Sequence, residues 1–188
     1  MSASLDQTIY QMAIEEGFKP IAAKLFVAQA RLESSDYSSN VFKNNNNMYG
    51  MKFVGQPLAD RGTPAPPSER SCNLTCDRDY YARYDNPVDS ARDTIQRLYK
   101  IPRSGVTFDQ LANVNSSKEF AELLKKRGYY GATASHYTNL LNSKLMRISV
   151  VEWYNKNKTT VNLAVVGATL IAVTGYVYFL KKKGIKLV

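Results

Sequence analysis

One carboxylate in this sequence stands where chemistry is available. Glu33 ends a helical pattern (Ile21, Leu25, Phe26, Gln29, Leu32, Glu33) that Pro20 opens at its first turn. A carboxyl one turn beyond an apolar stripe is a candidate proton donor, because a partly apolar setting favours its neutral form. The same position also suits an ordinary solvated glutamate at a helix end. After it come a Ser/Asn-rich stretch and the string Asn46-Asn47-Met48-Tyr49-Gly50-Met51-Lys52. Side-chain amides of this kind satisfy the backbone groups of a tight loop, so Asn47 and Tyr49 are expected to hold the loop beneath Glu33.

The remaining reactive residue types exclude more than they suggest. Cys72 and Cys76 are spaced C-x3-C, and His136 is the only histidine, so zinc would lack two ligands and no metal is expected. A local disulfide and two free thiols both remain open. A lone helical histidine is more often structural than catalytic. No cofactor motif is present. Thirteen tyrosines offer apolar area with a hydroxyl, which suits core edges and sugar-binding clefts alike. The formal net charge is +9, of which +5 falls on residues 1–158. That balance fits an anionic partner such as a wall polymer, a nucleic acid or a membrane surface. Basic residues are not interleaved with aromatics in a dense patch, so no nucleic acid is expected.

The elements that must position these groups are mostly helical. Leu5, Ile9, Met12 and Ala13 recur at helical spacing before a Gly17 cap. Residues 35–86 hold Asn, Ser, Gly and Pro clusters, with "YGMKFV" and "DYYARY" as extended pieces of a small hairpin region. Helices return with "PVDSARDTIQRLYK", with "SSKEFAELLKKRG", whose Ser116 and Glu119 have capping-box spacing, and with a long helix from Ala134 to Lys158. The order predicts an α+β domain dominated by helix.

Val161 to Leu180 is a run of twenty residues without a charge. As a helix it spans roughly 30 Å, the thickness of a hydrocarbon core. Trp153 and Tyr154 flank one side and Tyr176, Tyr178 and Phe179 the other, and Lys181-Lys182-Lys183 follow. The expectation is a single-pass C-terminal anchor with its tail on the cytoplasmic or equivalent face. Met1 to Thr8 has neither a basic region nor an apolar core, so no cleaved signal is expected.

Taken together, the motifs resemble the glucosaminidase family of peptidoglycan hydrolases, glycoside hydrolase family 73. The resemblance rests on Ala28–Ser34 (the A-x-x-x-L-E-S motif), on Asn46–Lys52, on Tyr81-Ala82-Arg83-Tyr84-Asp85-Asn86 before a helix, and on Arg127-Gly128-Tyr129-Tyr130 with Tyr137. It covers roughly residues 5–145. The chain departs from it after the glutamate, where Ser35-Asp36-Tyr37 replaces Gly-Trp-Gly.

The resemblance implies a mainly helical, lysozyme-like α+β domain over residues 1–150, with residues 151–188 as juxtamembrane segment, transmembrane helix and basic tail. It implies cleavage of the β-1,4 bond after N-acetylglucosamine in bacterial cell-wall glycan, with Glu33 as general acid. A second acid is implied on the hairpin, where Glu69 falls at the expected spacing and Asp77 and Asp79 are nearer alternatives. Tyr49, Tyr129, Tyr130 and Tyr137 become candidate substrate-binding residues. The expected partners are peptidoglycan strands and, through Val161–Leu180, a lipid bilayer. That bilayer would be the bacterial inner membrane or that of a lipid-containing phage virion. A muramidase, a lytic transglycosylase and a non-catalytic wall-binding protein on the same fold are the alternatives.

Overall fold

Helix α2, Pro20–Glu33, is the central helix of the fold in the computed structural model, which describes residues 2–148. Ala22, Ala23, Leu25, Phe26, Val27, Ala28, Gln29 and Ala30 are all buried. A helix apolar over most of its circumference can only be satisfied by protein on every side. α1, Ser2–Glu15, supplies one wall, and Gly17 closes it at φ +105°, in the region that favours glycine. The turn brings Phe18 against Phe26 (5.4 Å between ring centroids) and Tyr99 (5.8 Å), with Phe120 on the far side of Tyr99.

α1 and α2 are also joined by a buried ion pair. The Arg31 guanidinium donates to the Asp6 carboxylate at 3.0 and 2.5 Å, and the Tyr37 hydroxyl donates to the same carboxylate at 2.8 Å.

The Ser/Asn-rich stretch, read as a loop, contains a short helix, α3, Asn40–Asn45. Ser39 caps it by accepting the Phe42 N–H, and Asn46 ends it at φ +51°. Three of the four consecutive asparagines then grip the hairpin. Asn45 donates to Thr63, Asn46 to the Tyr84 and Asp85 carbonyls, and Asn47 to the Met51 and Ala82 carbonyls at 2.8 and 2.9 Å. Pairing with residues 18 to 39 positions away stabilises a turn of helix that local propensity alone would not hold.

The hairpin pairs β1, Asp60–Pro64, antiparallel to β2, Tyr80–Arg83. "YGMKFV" contributes only a single bridge, Lys52 to Tyr81. Gly50 and Gly55 bracket it at positive φ, which turns the chain away at both ends. The register slips between Arg61 and Pro64, where Gly62 lies. A Cβ added at Gly62 would meet Asn45 Oδ1 at 2.7 Å and the Tyr81 carbonyl at 2.8 Å. Gly62→Ala is therefore expected to cost about 2 kcal/mol through overpacking against backbone. A denaturant midpoint equal to wild type would contradict this.

The helical remainder begins with α4, Pro87–Thr94, which continues as a π turn over Ile95–Tyr99. α5, Phe108–Ala112, was not foreseen; it carries a capping box between Thr107 and Gln110. α6, Ser117–Lys126, starts at Ser116 as read, but the Glu119 carboxylate reaches the Asn115 N–H, one residue before the cap. α7 runs over residues 134–148. The rest of the long helix read from the sequence, and the apolar run Val161–Leu180, lie outside the described residues. Among the described residues no helix is long and apolar enough to cross a membrane. Among the described residues, helices α1 to α7 and one small hairpin make this a mainly helical α+β domain, as expected for that part of the chain.

Candidate active site

Glu33 sits where α2 ends, and three devices hold it there. Ser34 closes the helix by donating its hydroxyl to the Ala30 carbonyl at 2.6 Å and accepting the Tyr37 N–H at 3.0 Å. Ser35, Asp36 and Tyr37 follow with φ of 52°, 55° and 64°. In the resembled family glycines flank an aromatic at this point. Here non-glycine residues hold the left-handed turn, and Tyr37 packs on Phe42 (5.4 Å). Finally, Asp36 receives Lys144 at 2.7 Å and Arg147 at 2.8 Å, which locks α7 across the end of α2.

That lock places Tyr137, 104 residues away, so that its hydroxyl donates to Glu33 Oε1 at 2.8 Å. Tyr137 is buried, and its ring lies stacked on Tyr130 at 4.0 Å between centroids. Its hydroxyl and one ring face are thus committed to Glu33 and Tyr130. The Tyr130 hydroxyl donates to the Ala121 carbonyl at 2.7 Å, so its ring edge faces the groove while its polar end is tied down. Tyr49 stacks on Phe26 and donates to the Phe26 carbonyl at 3.2 Å, making it a floor under the site.

Glu33, Tyr49, Tyr129 and Tyr130 line a groove of about 670 Å³, together with Lys52, Arg78, Arg97 and Arg103. The volume falls within the usual range of ligand sites, about 300–1,000 Å³. Glu33 is exposed toward the groove, while the Tyr137 hydroxyl holds one of its carboxyl oxygens. Desolvation pushes its pKa above the usual carboxylate range, and the Tyr137 hydrogen bond pulls it part of the way back. Removing that bond with Tyr137→Phe should raise the Glu33 pKa further. Because the acid must be protonated, the alkaline limb of the pH–rate profile should move to higher pH. A limb unmoved, or moved downward, would show that Glu33 is not the group read by that limb.

The three candidates for a second acid separate clearly. Asp77 is paired with Arg61. Asp79 is buried and accepts the N–H groups of Ser71 (2.6 Å), Cys72 (3.1 Å) and Leu74 (2.6 Å), which close the loop that the Cys72–Cys76 disulfide staples. The sulfurs and this carboxylate lie within 4.8 Å of one another, but the sulfurs are bonded together and the carboxylate is filled by N–H donors. They are no ligand set.

Glu69 alone reaches a groove residue. It accepts the Tyr81 hydroxyl at 2.5 Å and the Lys52 ammonium at 2.9 Å. These two donors hold its carboxyl below the usual range, whereas desolvation shifts Glu33 upward. Opposed shifts of this kind are what acid/base pairs require. Glu69 does not itself line the groove; Lys52 stands between, with its ammonium 4.1 Å over the Tyr81 ring. His136 is exposed and lies apart from these groups.

Sequence reasoning passed over Lys52, Tyr81 and the groove arginines. Lys52 and Tyr81 lie inside the Asn46–Lys52 and Tyr81–Asn86 motifs, but the bridge that pairs them is a tertiary feature that no local pattern marks. The arginines carry no local pattern that would mark them.

The family model described as mannosyl-glycoprotein endo-beta-N-acetylglucosaminidase matches residues 7–149. No curated protein matches the chain in sequence. Among solved structures, a chain of a type VI secretion system effector–immunity complex from Pseudomonas protegens is similar, with a TM-score of 0.55 at 15% identity, covering 79% of this chain and 92% of that one. The catalytic domain of the autolysin Auto from Listeria monocytogenes gives a TM-score of 0.52 at 19% identity, covering 81% of this chain and 84% of that one. A C-terminally truncated glycoside hydrolase domain of FlgJ from Salmonella typhimurium gives 0.51 at 18% identity, covering 76% and 92%. At these identities the structures attest the fold. The family model spans most of the chain, and the chain belongs to the glucosaminidase family of glycoside hydrolases.

Proposed function

We propose that the protein is a peptidoglycan hydrolase that cuts the β-1,4 bond on the reducing side of N-acetylglucosamine. The observation that carries this reading is the carboxyl of Glu33, held by the Tyr137 hydroxyl and shifted upward by desolvation, at the wall of an open groove. Glu33 gives its proton to the glycosidic oxygen as the C1–O bond breaks, and the leaving sugar departs as a neutral alcohol. Positive charge then develops at C1. Glu69, ionised on the hairpin, steadies that charge or orients the attacking water. Water adds at C1 and returns a proton, so the net change is hydrolysis.

A second reading has an observation in its favour. Glu69 is bound to Lys52 and Tyr81 and stands back from the groove. In that reading the substrate's own N-acetyl oxygen attacks C1, and Glu69 matters less.

Outside the described residues, Val161–Leu180 tethers the enzyme to a bilayer, in the bacterial inner membrane or in a lipid-containing virion. Digestion is then confined to the wall next to that bilayer. Flotation with liposomes tests the tether.

The bond itself is tested by mass spectrometry of borohydride-reduced fragments from purified peptidoglycan digested with the full-length chain. N-acetylglucosamine at the new reducing ends is the expected result. N-acetylmuramic acid would instead make the protein a muramidase, and an anhydro sugar a lytic transglycosylase. Tight wall binding without any new ends would make it a non-catalytic wall-binding protein.

A further inference from the structure

Beside the Glu33 groove lies a second, smaller hollow of about 290 Å³, bordered by the apolar Leu98, Ile101, Pro102 and Tyr129 and by three arginines, Arg97, Arg103 and Arg127. It shares Leu98, Ile101, Arg103 and Tyr129 with the groove, so the two are continuous. No acid borders it. Arg127 is buried, at 5% exposure, yet among the described residues no carboxylate pairs with it. Its guanidinium donates to main-chain carbonyls instead: Val106 at 2.8 Å, Ile101 at 2.8 Å, and Leu98. A buried cation without a counter-charge is costly, and such charges are normally paired.

The three carbonyls belong to the segment that presents Arg103. That segment is closed by mutual bonds between Arg103 and Val106, at 3.2 and 3.0 Å, with Ser104 and Gly105 at positive φ. Arg127 therefore builds a rigid platform for Arg103 and leaves an uncompensated positive charge beneath it. Arg103 and Arg78 likewise have no carboxylate partner among the described residues, whereas Arg97 is already paired with Asp93 at 3.1 Å. Burial, aided by the charge of Arg103, pulls the Arg127 guanidinium below its usual range, a penalty that an anion placed between the two would relieve.

We propose that this hollow is an anion subsite of the groove, in which Arg103 binds a carboxylate of the peptide stems carried by the glycan. The proposal rests on the peptidoglycan reading above. The glycan backbone lying along the groove past Glu33 offers sugar hydroxyls and acetamides, so an anion must come from its substituents. Leu98, Ile101, Pro102 and the Tyr129 ring suit the aliphatic part of an amino-acid stem, and Ile101 is 57% exposed with nothing over it among the described residues. The planar fork of Arg103 suits a carboxylate. Arg97 also borders the hollow but is paired with Asp93, so a phosphodiester polymer, the other anion of bacterial walls, would find one exposed arginine without a carboxylate partner, over an apolar floor.

The subsite makes the enzyme selective for glycan whose peptide stems carry free carboxylates over glycan whose stem carboxylates are blocked. The test uses the full-length chain carrying Glu33→Gln, so that ligands are bound without turnover, and calorimetry with three probes. These are a peptide-bearing glycan oligomer, the same oligomer with its stem carboxylates converted to methylamides, and polyglycerol phosphate.

The expected result is affinity about tenfold higher for the oligomer with free stem carboxylates than for the amidated one. Adding Arg103→Gln should abolish that ratio, and Arg103→Lys should restore part of it. Equal affinity for the two oligomers, or a ratio that survives Arg103→Gln, overturns the proposal. Arg103-dependent binding of polyglycerol phosphate without a preference for free stem carboxylates also overturns it and assigns the hollow to phosphate. The hydrolase reading is tested separately, by new reducing ends released from the same oligomers by the chain with Glu33 intact. Its failure would leave the binding ratio to judge the subsite alone.

Discussion

Glu33→Gln should lower the rate of wall clearing by between about a hundredfold and ten-thousandfold, the usual contribution of a general acid. The amide has the shape of the carboxyl and still accepts the Tyr137 hydroxyl. Binding to wall fragments should therefore survive. The sign of the stability effect follows from the pKa. In the folded chain the Glu33 pKa is raised, so the unfolded chain loses this proton first as pH rises. Between the unfolded and the folded values stability falls, and above the folded value the full penalty remains.

Gln never ionises, so the variant should melt at or above the wild-type temperature at neutral pH. The difference should vanish below about pH 4, where both forms are neutral. Rate assays on purified wall, with thermal melts at pH 4 and pH 7, check both halves. Undiminished clearing would move catalysis to another group. A melting temperature that falls at pH 7 would mean that the ionised form is the one the fold favours.

The second large effect is one of stability. Asp6→Ala removes the partner of a buried guanidinium and the acceptor of the Tyr37 hydroxyl. Arg31 would keep only Asp36, at 3.3 Å. Breaking a buried pair from one side costs about 3–5 kcal/mol, a large part of a domain's usual total of about 5–15 kcal/mol. The melting temperature should fall on the order of 10 °C.

The loss has a functional side, because Arg31 lies two residues before Glu33 on the same helix end and Tyr37 belongs to the turn that follows. Activity should therefore fall at temperatures below the new melting point, as the end of α2 frays. Replacing both partners together, Asp6→Leu with Arg31→Met, should recover much of the stability, since no charge is then left buried alone. A double variant no better than Asp6→Ala would show that packing, and not the stranded charge, carries the effect.

These predictions involve two kinds of residue, distinguishable by whether local pattern could reveal them. The bounds of α2 follow from Pro20 at its start and from apolar spacing that stops at Glu33. α6 follows from its Ser116 cap and from Gly128 at φ +72°. Local chemistry misled in the asparagine stretch. Asn and Ser compete with the backbone for hydrogen bonds, so a loop is the expectation from propensity, yet α3 forms because its asparagines bond to hairpin groups far along the chain. Strand β1, with Pro64 and Gly62 among its five residues, has poor strand propensity and exists because β2 and Asn45 hold it.

What the sequence by itself determined, then, is the helical frame, the place of Glu33 at a helix end, and the family motifs, because periodicity, caps and short motifs act over a few residues. The rest was decided by tertiary structure. Tyr137 reaches Glu33 across 104 positions, Glu69 is the acid left facing Lys52 once Asp77 and Asp79 are occupied, and Arg103 and Arg127 meet around one hollow. These are pairings of polar and charged side chains, whose partners are chosen by distance in space and by burial, and neither is written in the spacing of residues along the chain.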